Sequence, residues 1–267
     1  MKSGLQKIQP NHKDYSLLHT FAGITPEPAG LPDSFSIYDG RTIPNQDEMD
    51  TRFTPAISPL PYGCTGETGS FESGLQDGVL YNPEDLYINT PPGGLGGRDI
   101  RKMLQTLISR GPRAADGSFG AKRTAYFNVY GAGKIDDFDA VRIALWINQM
   151  EKRGVYIGSW WYWGDAPSME LSLPSFKTSD GALHCYLATG WKGNDLEIIP
   201  WVGEEAGNKG VFYVSREIFN ALMGQPYTGT FSITKVAGQQ PIPVGYQAYI
   251  DHIVYSLNQF IRNLFGT

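Results

Sequence analysis

The chain has 267 residues, of which 41% are hydrophobic and 18% charged, and its formal net charge at pH 7 is -5. This composition predicts a globular protein with a core of one large or two small domains and excludes a disordered chain. The charge is spread without long runs, so neither nucleic acid nor an anionic membrane surface is an expected partner. The 2 cysteines cannot form a disulfide framework, and no signal peptide or membrane span is visible. We therefore expect a soluble protein, either cytoplasmic or associated with a virus particle.

Residues 1–49 are polar and rich in proline and glycine, which predicts loops rather than regular structure. We interpret them as an N-terminal extension that precedes a main domain at residues 50–230. His12 and His19 lie in this extension without an acidic or thiol partner at a motif spacing. Both are expected on the surface.

A helix is expected to begin at Cys64, in the run YGCTGETGSFESG. The thiolate is the nucleophilic form of cysteine, and a helix N-terminus or a nearby imidazolium stabilises this anion. The glycines of the run each weaken the helix by about 1 kcal/mol relative to alanine, unless close packing requires them. A single cysteine is more often an inert core residue, so a nucleophilic role depends on a base elsewhere in the chain.

Two more helices are predicted before residue 118. Asn82 to Leu86 is predicted to form a short helix with a proline at an early position. The run PPGGLGGRDIRKMLQTLISRGP combines a glycine loop with an amphipathic helix that ends at Gly111 and Pro112. Its apolar residues recur at helical spacing, and they are Ile100, Met103, Leu104, Leu107 and Ile108.

The next segment predicts a strand, a helix and a second strand. The first strand is expected within Arg123 to Tyr130, and the amphipathic helix within residues 135–154. The run VYIGSWWYW, residues 155–163, is rich in aromatic and β-branched residues and is therefore typical of a strand. Its tryptophans, Trp161 among them, either line a substrate site or pack in the core.

The stretch from Leu183 to Val214 contains three apolar runs separated by short turns, which predicts an antiparallel sheet. His184 lies where the first run begins. A histidine at the mouth of a sheet can present its imidazole to a cleft, where its near-neutral pKa suits proton transfer; the alternative is a structural histidine. Strand alternation turns Cys185 away from His184, so Cys185 is expected to be a core thiol and not a disulfide partner of Cys64.

These motifs together resemble those of the papain-like cysteine peptidases. HCYLATGW and GNKGVFYV are similar to two strands of that family, and Gly63-Cys64-Thr65 is similar to its nucleophile segment. The resemblance implies an α+β fold with a helical half, about residues 60–118, and an antiparallel sheet half, about residues 119–230. It also implies a Cys64 nucleophile and a His184 base that act on a peptide or protein substrate, without a cofactor or a metal.

Further candidates for the site follow from the same resemblance. Asp50 and Arg52 resemble the Asp-x-Arg that precedes the nucleophile segment. Gly96 and Gly97 resemble the paired glycines that line the substrate cleft, although a plain helix entry has the same composition. Trp161 is the candidate for an aromatic wall of that cleft.

The oxyanion glutamine of the family is missing before Cys64. Loss of one oxyanion donor typically costs about 2.7 to 4 kcal/mol of transition-state stabilisation. The backbone N–H of Cys64 remains, and Ser58 or Tyr62 could replace the missing amide.

The asparagine that orients the imidazole in the family is also missing, because its position falls on Pro200 or Ile199. A backbone carbonyl, Glu204 or Glu205 would then have to hold the ring. The alternative is an inactive papain-like domain with a binding or structural role, for example in a phage particle or a surface assembly.

Residues 231–267 are interpreted as a C-terminal appendage that ends in an amphipathic helix. Its apolar stripe consists of Ile250, Ile253, Val254, Leu257, Phe260, Ile261 and Leu264. This stripe either packs on its own domain or supports self-association or docking into an assembly.

Overall fold

A computed structural model of the protein describes residues 28–45, 63–91, 98–131, 135–161, 182–225 and 227–233. The α-helices among these residues are α1 (Cys64–Asp77), α2 (Pro83–Asn89), α3 (Ile100–Ser109), α4 (Asp137–Ile147) and α5 (Arg216–Met223). The strands are β1 (Ser34–Ser36), β2 (Tyr126–Asn128), β3 (Val155–Trp161), β4 (Ala182–Lys192), β5 (Asp195–Ile199), β6 (Phe212–Ser215) and β7 (Gly229–Ile233). Within this described part of the chain, no helix is long and apolar enough to cross a membrane.

The strands form one antiparallel sheet in the order β2-β7-β3-β4-β5-β6, and β1 pairs separately with β4. The long strand β4 is the centre of this sheet, since it pairs with β1, β3 and β5. Helices α1, α2 and α3 pack against one another, and α1 also packs against β4. The expected α+β fold, with a helical half and an antiparallel sheet half, is confirmed.

Two strands of the sheet lie beyond or across the domain boundaries that were predicted from the sequence, at residues 49 and 230. Strand β1, from the expected N-terminal extension, pairs with residues 190–192 of β4 and so belongs to the sheet. Strand β7 lies between β2 and β3, and the predicted boundary at residue 230 falls inside it. Both pairings are non-local, and local sequence patterns do not report them. The amphipathic helix expected near the C-terminus lies outside the described residues.

Helix α1 tolerates its glycines because two of them lie where α2 and α3 come closest. A Cβ atom on Gly66 would lie 2.5 Å from the Pro83 carbonyl oxygen, and one on Gly69 would lie 2.5 Å from a methyl group of Leu86. A side chain at either position would force the helices apart. Close packing thus explains residues that weaken the isolated helix, and it holds α1 firmly in the helical half.

Helix α1 also meets the sheet through a buried carboxyl group, Glu72. The Tyr156 hydroxyl donates to one Glu72 oxygen at 2.8 Å, and the Gln76 amide donates to the other. Burial raises the pKa of Glu72 to about 7, although Arg123 nearby acts in the opposite direction. Arg123 itself is paired with Asp77 at 2.9 Å. Polar groups therefore join the helical half to β3.

Candidate active site

Cys64 is the first residue of α1 and is fully buried, with 0% of its surface exposed. The residue before it must be small, because a Cβ atom on Gly63 would lie 2.0 Å from the Tyr87 ring. The backbone N–H of Cys185 donates to Cys64 Sγ at 3.2 Å. The sulfur thus lies against the peptide group that joins His184 to Cys185.

His184 lies on β4, opposite Ser159 of β3, and is also 0% exposed. Its Nε2 atom is 2.6 Å from the carbonyl oxygen of Pro200. A carbonyl oxygen can only accept a hydrogen bond, so Nε2 must be the donor. In the neutral ring the lone pair then lies on Nδ1, and this bond selects the tautomer of the imidazole.

The surroundings of His184 keep its ring neutral. Burial lowers the pKa of His184 to about 4, and the bond to Pro200 opposes this effect without cancelling it. At neutral pH the imidazole therefore carries one proton, on Nε2. A neutral imidazole is the form that can take a proton from a thiol.

The acceptor of the imidazole proton is a backbone carbonyl, which is one of the alternatives that the sequence left open. Glu204 and Glu205 are both exposed, whereas His184 is buried. A Glu204 oxygen instead accepts from the backbone N–H of Ile43 at 3.2 Å. Neither glutamate therefore holds Nε2 in this structure. A backbone acceptor leaves no signature in residue type, so no motif could have identified it.

Trp201 follows Pro200 and has an unusual backbone conformation, with φ at 63°. For a bulky residue this left-handed region is sparsely populated. The Trp201 indole N–H donates to Thr68 Oγ1 at 2.8 Å, and its ring packs against Phe71 with centroids 5.2 Å apart. Neither Thr68 nor Trp201 was predicted from the sequence to be a functional residue.

A cavity of about 240 Å³ lies beside α1, but neither Cys64 nor His184 lines it. The described residues around it include Arg41, Glu67 and Phe71. The candidate catalytic pair is thus separate from this cavity.

No family model matches the sequence, and no curated protein matches it. Solved structures do match. Xylellain, a cysteine protease from Xylella fastidiosa, aligns over 88% of this chain and 96% of its own, with 15% identity and a TM-score of 0.61. The bromelain protease from Ananas comosus, in complex with the inhibitor E64, aligns over 77% of this chain and 100% of its own, with 13% identity and a TM-score of 0.54. The chain has the papain-like fold.

A proenzyme is among the structures with the same papain-like fold. The procathepsin B S9 of Trypanosoma congolense aligns over 88% of this chain and 87% of its own, with 12% identity and a TM-score of 0.59. At such identities the likeness establishes the fold alone.

Most of the other predicted site residues belong to parts of the chain that the structure does not describe. Gly96 and Gly97 lie outside the described residues, as do the Asp50 to Arg52 segment, Ser58 and Tyr62. Trp161 is the last residue of β3, where its backbone pairs with Ala182 of β4. The substrate-binding role of Gly96, Gly97 and Trp161 stays a prediction.

Cys185 is the second buried cysteine of this chain, and neither Cys64 nor Cys185 forms a disulfide. Burial raises the pKa of Cys185 well above its ordinary value, and a negative charge on Cys64 acts in the same direction. Cys185 is thus poorly suited to act as a nucleophile at neutral pH.

Proposed function

We propose that the protein is a thiol hydrolase that cleaves peptide or amide bonds, with Cys64 as the nucleophile and His184 as the general base. The observation that carries this proposal is the hydrogen bond from His184 Nε2 to the Pro200 carbonyl, at 2.6 Å. It leaves Nδ1 as the basic nitrogen of the imidazole, while Cys64 Sγ accepts a hydrogen bond from the backbone N–H of Cys185, the residue after His184, at 3.2 Å. An N–H donor stabilises an anionic sulfur, as thiol catalysis requires.

In the proposed reaction Cys64 Sγ attacks the carbonyl carbon of the substrate while its proton passes to His184 Nδ1. The negative charge moves to the carbonyl oxygen, and the backbone N–H of Cys64 at the helix N-terminus donates to that oxygen. The imidazolium then protonates the leaving amine as the C–N bond breaks. Water, deprotonated by His184, hydrolyses the thioester and releases the acid with a free thiol.

Complete burial of both residues sets a condition on this reaction. Cys64 and His184 are each 0% exposed, so a substrate reaches the sulfur only after a movement that opens the site. Entry of water or substrate also reduces the desolvation that lowers the pKa of His184 to about 4. The imidazolium and thiolate pair is therefore favoured in the opened site.

Alkylation with iodoacetamide tests the coupling of the two residues. Between pH 5 and pH 7, wild-type Cys64 is expected to react at least about tenfold faster than Cys64 in His184→Ala, because the imidazole increases the thiolate fraction. Mass spectrometry of the labelled peptides gives the rate at each cysteine, and Cys185 serves as the internal control. A rate proportional to reagent concentration shows that opening of the site is not rate-limiting. Equal Cys64 rates in the two proteins across this pH range would contradict the proposal.

A further inference from the structure

The hydroxyl group of Thr68 lies where three segments of the candidate site meet. Thr68 is one helical turn after Cys64 and is 0% exposed. Its Oγ1 atom donates to the Cys64 carbonyl at 2.7 Å and accepts from the Trp201 indole at 2.8 Å. The Cys185 carbonyl lies 3.5 Å away as a second acceptor. A single hydroxyl thus connects the nucleophile helix, the histidine strand and the segment that follows Pro200.

The bond between Thr68 and Trp201 has a direct consequence for His184. The backbone angle φ of Trp201 is 63°, and such a conformation persists in a bulky residue only when its surroundings hold it. The peptide group between Pro200 and Trp201 contains the carbonyl that accepts from His184 Nε2. Because φ of Trp201 helps to set the plane of this peptide, an anchor on the indole restricts where the carbonyl points.

We propose that Thr68 is a positioning residue for the hydrolytic reaction. Its hydroxyl anchors the Trp201 indole, the indole holds the Pro200 carbonyl, and that carbonyl keeps the proton of His184 on Nε2. The same hydroxyl donates a hydrogen bond to the backbone carbonyl of Cys64, the residue with the nucleophilic sulfur. Thr68 therefore fixes the base and the nucleophile relative to each other. This role rests on the proposed function, since it concerns the geometry of that reaction.

Removal of the hydroxyl leaves the buried indole N–H without this acceptor, which is a costly arrangement. Trp201 is then expected to relax toward an ordinary backbone conformation and to turn the Pro200 carbonyl away from His184. The imidazole loses its fixed tautomer, and a fraction of the protein carries the proton on the nitrogen that must act as base. The chemical step slows, while the surface that binds substrate is unaltered.

The experiment compares Thr68→Val, which has nearly the same shape, with Thr68→Ser, which keeps the hydroxyl. For hydrolysis of a casein-derived peptide, Thr68→Val is expected to lower kcat about 10- to 100-fold with KM changed less than about threefold, and Thr68→Ser to restore most of the loss. In ¹⁵N-edited NMR spectra, the His184 Nε2–H signal, assigned by its loss in His184→Ala, is expected to vanish in Thr68→Val and to persist in Thr68→Ser.

The Trp201→Phe variant provides a second test, because it removes the indole donor and keeps Thr68. It is expected to lower kcat to a similar extent as Thr68→Val, and the double variant is expected to lose little more than either single one. If Thr68→Val does not fold, the kcat and the Nε2–H signal of Trp201→Phe test the positioning role. Wild-type kcat with an intact Nε2–H signal, in whichever of these variants folds, would overturn the positioning role.

Failure of this inference differs from failure of the proposed function. If the wild-type protein cleaves peptides and Thr68→Val cleaves them equally well, the hydrolase stands and the role of Thr68 is refuted. If the wild-type protein cleaves nothing and its Cys64 reacts no faster than Cys64 in His184→Ala, the hydrolase is refuted. The Nε2–H signal then still reports whether Thr68 positions the ring.

Discussion

Replacement of His184 with alanine is expected to lower kcat/KM for peptide hydrolysis by about 10³-fold, the range in which loss of a general base falls. The variant loses the group that accepts the Cys64 proton and later protonates the leaving amine. Casein-derived peptides are a suitable substrate mixture, because new N-termini report every cleavage whatever the sequence preference. Cys64→Ser should lower kcat/KM by a similar factor, because Cys64 and His184 act as one unit.

A matched control for this experiment is His12→Ala, which changes a histidine that the sequence assigns to the surface. It is expected to cleave at the wild-type rate, while thermal unfolding checks that all variants are folded. If His184→Ala kept more than about a tenth of the wild-type kcat/KM, another base would have to be found.

The free energy of unfolding is expected to change with pH through Glu72, and Glu72→Gln is expected to remove this change. Burial raises the pKa of Glu72 from 4.5 to about 7, so the folded protein binds the proton more tightly than the unfolded chain does. The stabilising contribution is complete below pH 4.5 and is lost as pH rises through about 7. From pH 5 to pH 8 the free energy of unfolding of the wild type should therefore fall by up to about 3 kcal/mol relative to that of Glu72→Gln, at 1.36 kcal/mol per pKa unit.

Urea unfolding of both proteins at several pH values measures this difference. His184 acts in the opposite direction, because its pKa is lowered to about 4 and its protonation favours the unfolded chain as pH falls. Both proteins keep His184, so the difference between them isolates Glu72. Glu217→Gln, at an exposed position on α5, is the control and should follow the wild type. If the free energies of unfolding of wild type and Glu72→Gln differed by the same amount at every pH, the raised pKa of the buried Glu72 carboxyl group would be contradicted.

The sequence predicted the elements whose signals are local. The apolar spacing from Ile100 to Ile108 indicated α3, and the aromatic and β-branched run from Val155 indicated β3. The α1 helix was also expected, but its glycines became intelligible only when α2 and α3 were seen beside them. Side-chain volume at a helix contact depends on the neighbour, which a single sequence does not display.

Features that depend on distant residues could not be predicted. Glu72 and Tyr156 are 84 positions apart in the sequence. Strand β7 is likewise distant in sequence from β3, with which it pairs in the sheet. The acceptor of the His184 Nε2 proton is the backbone carbonyl of Pro200 and not a side chain, and backbone carbonyls are the same in every residue. The left-handed conformation of Trp201 is similarly invisible, because bulky residues adopt it only under the constraint of a fold.

The distance from Cys64 Sγ to His184 Nδ1 in a crystal structure of the wild-type protein is the most direct test of the proposed catalytic pair. We predict a separation of about 4 Å or less, within reach of a long S–H···N contact, while Nε2 stays bonded to the Pro200 carbonyl. A ring whose Nδ1 points away from the sulfur, in free and substrate-bound crystals alike, would contradict thiol hydrolysis by Cys64 and His184.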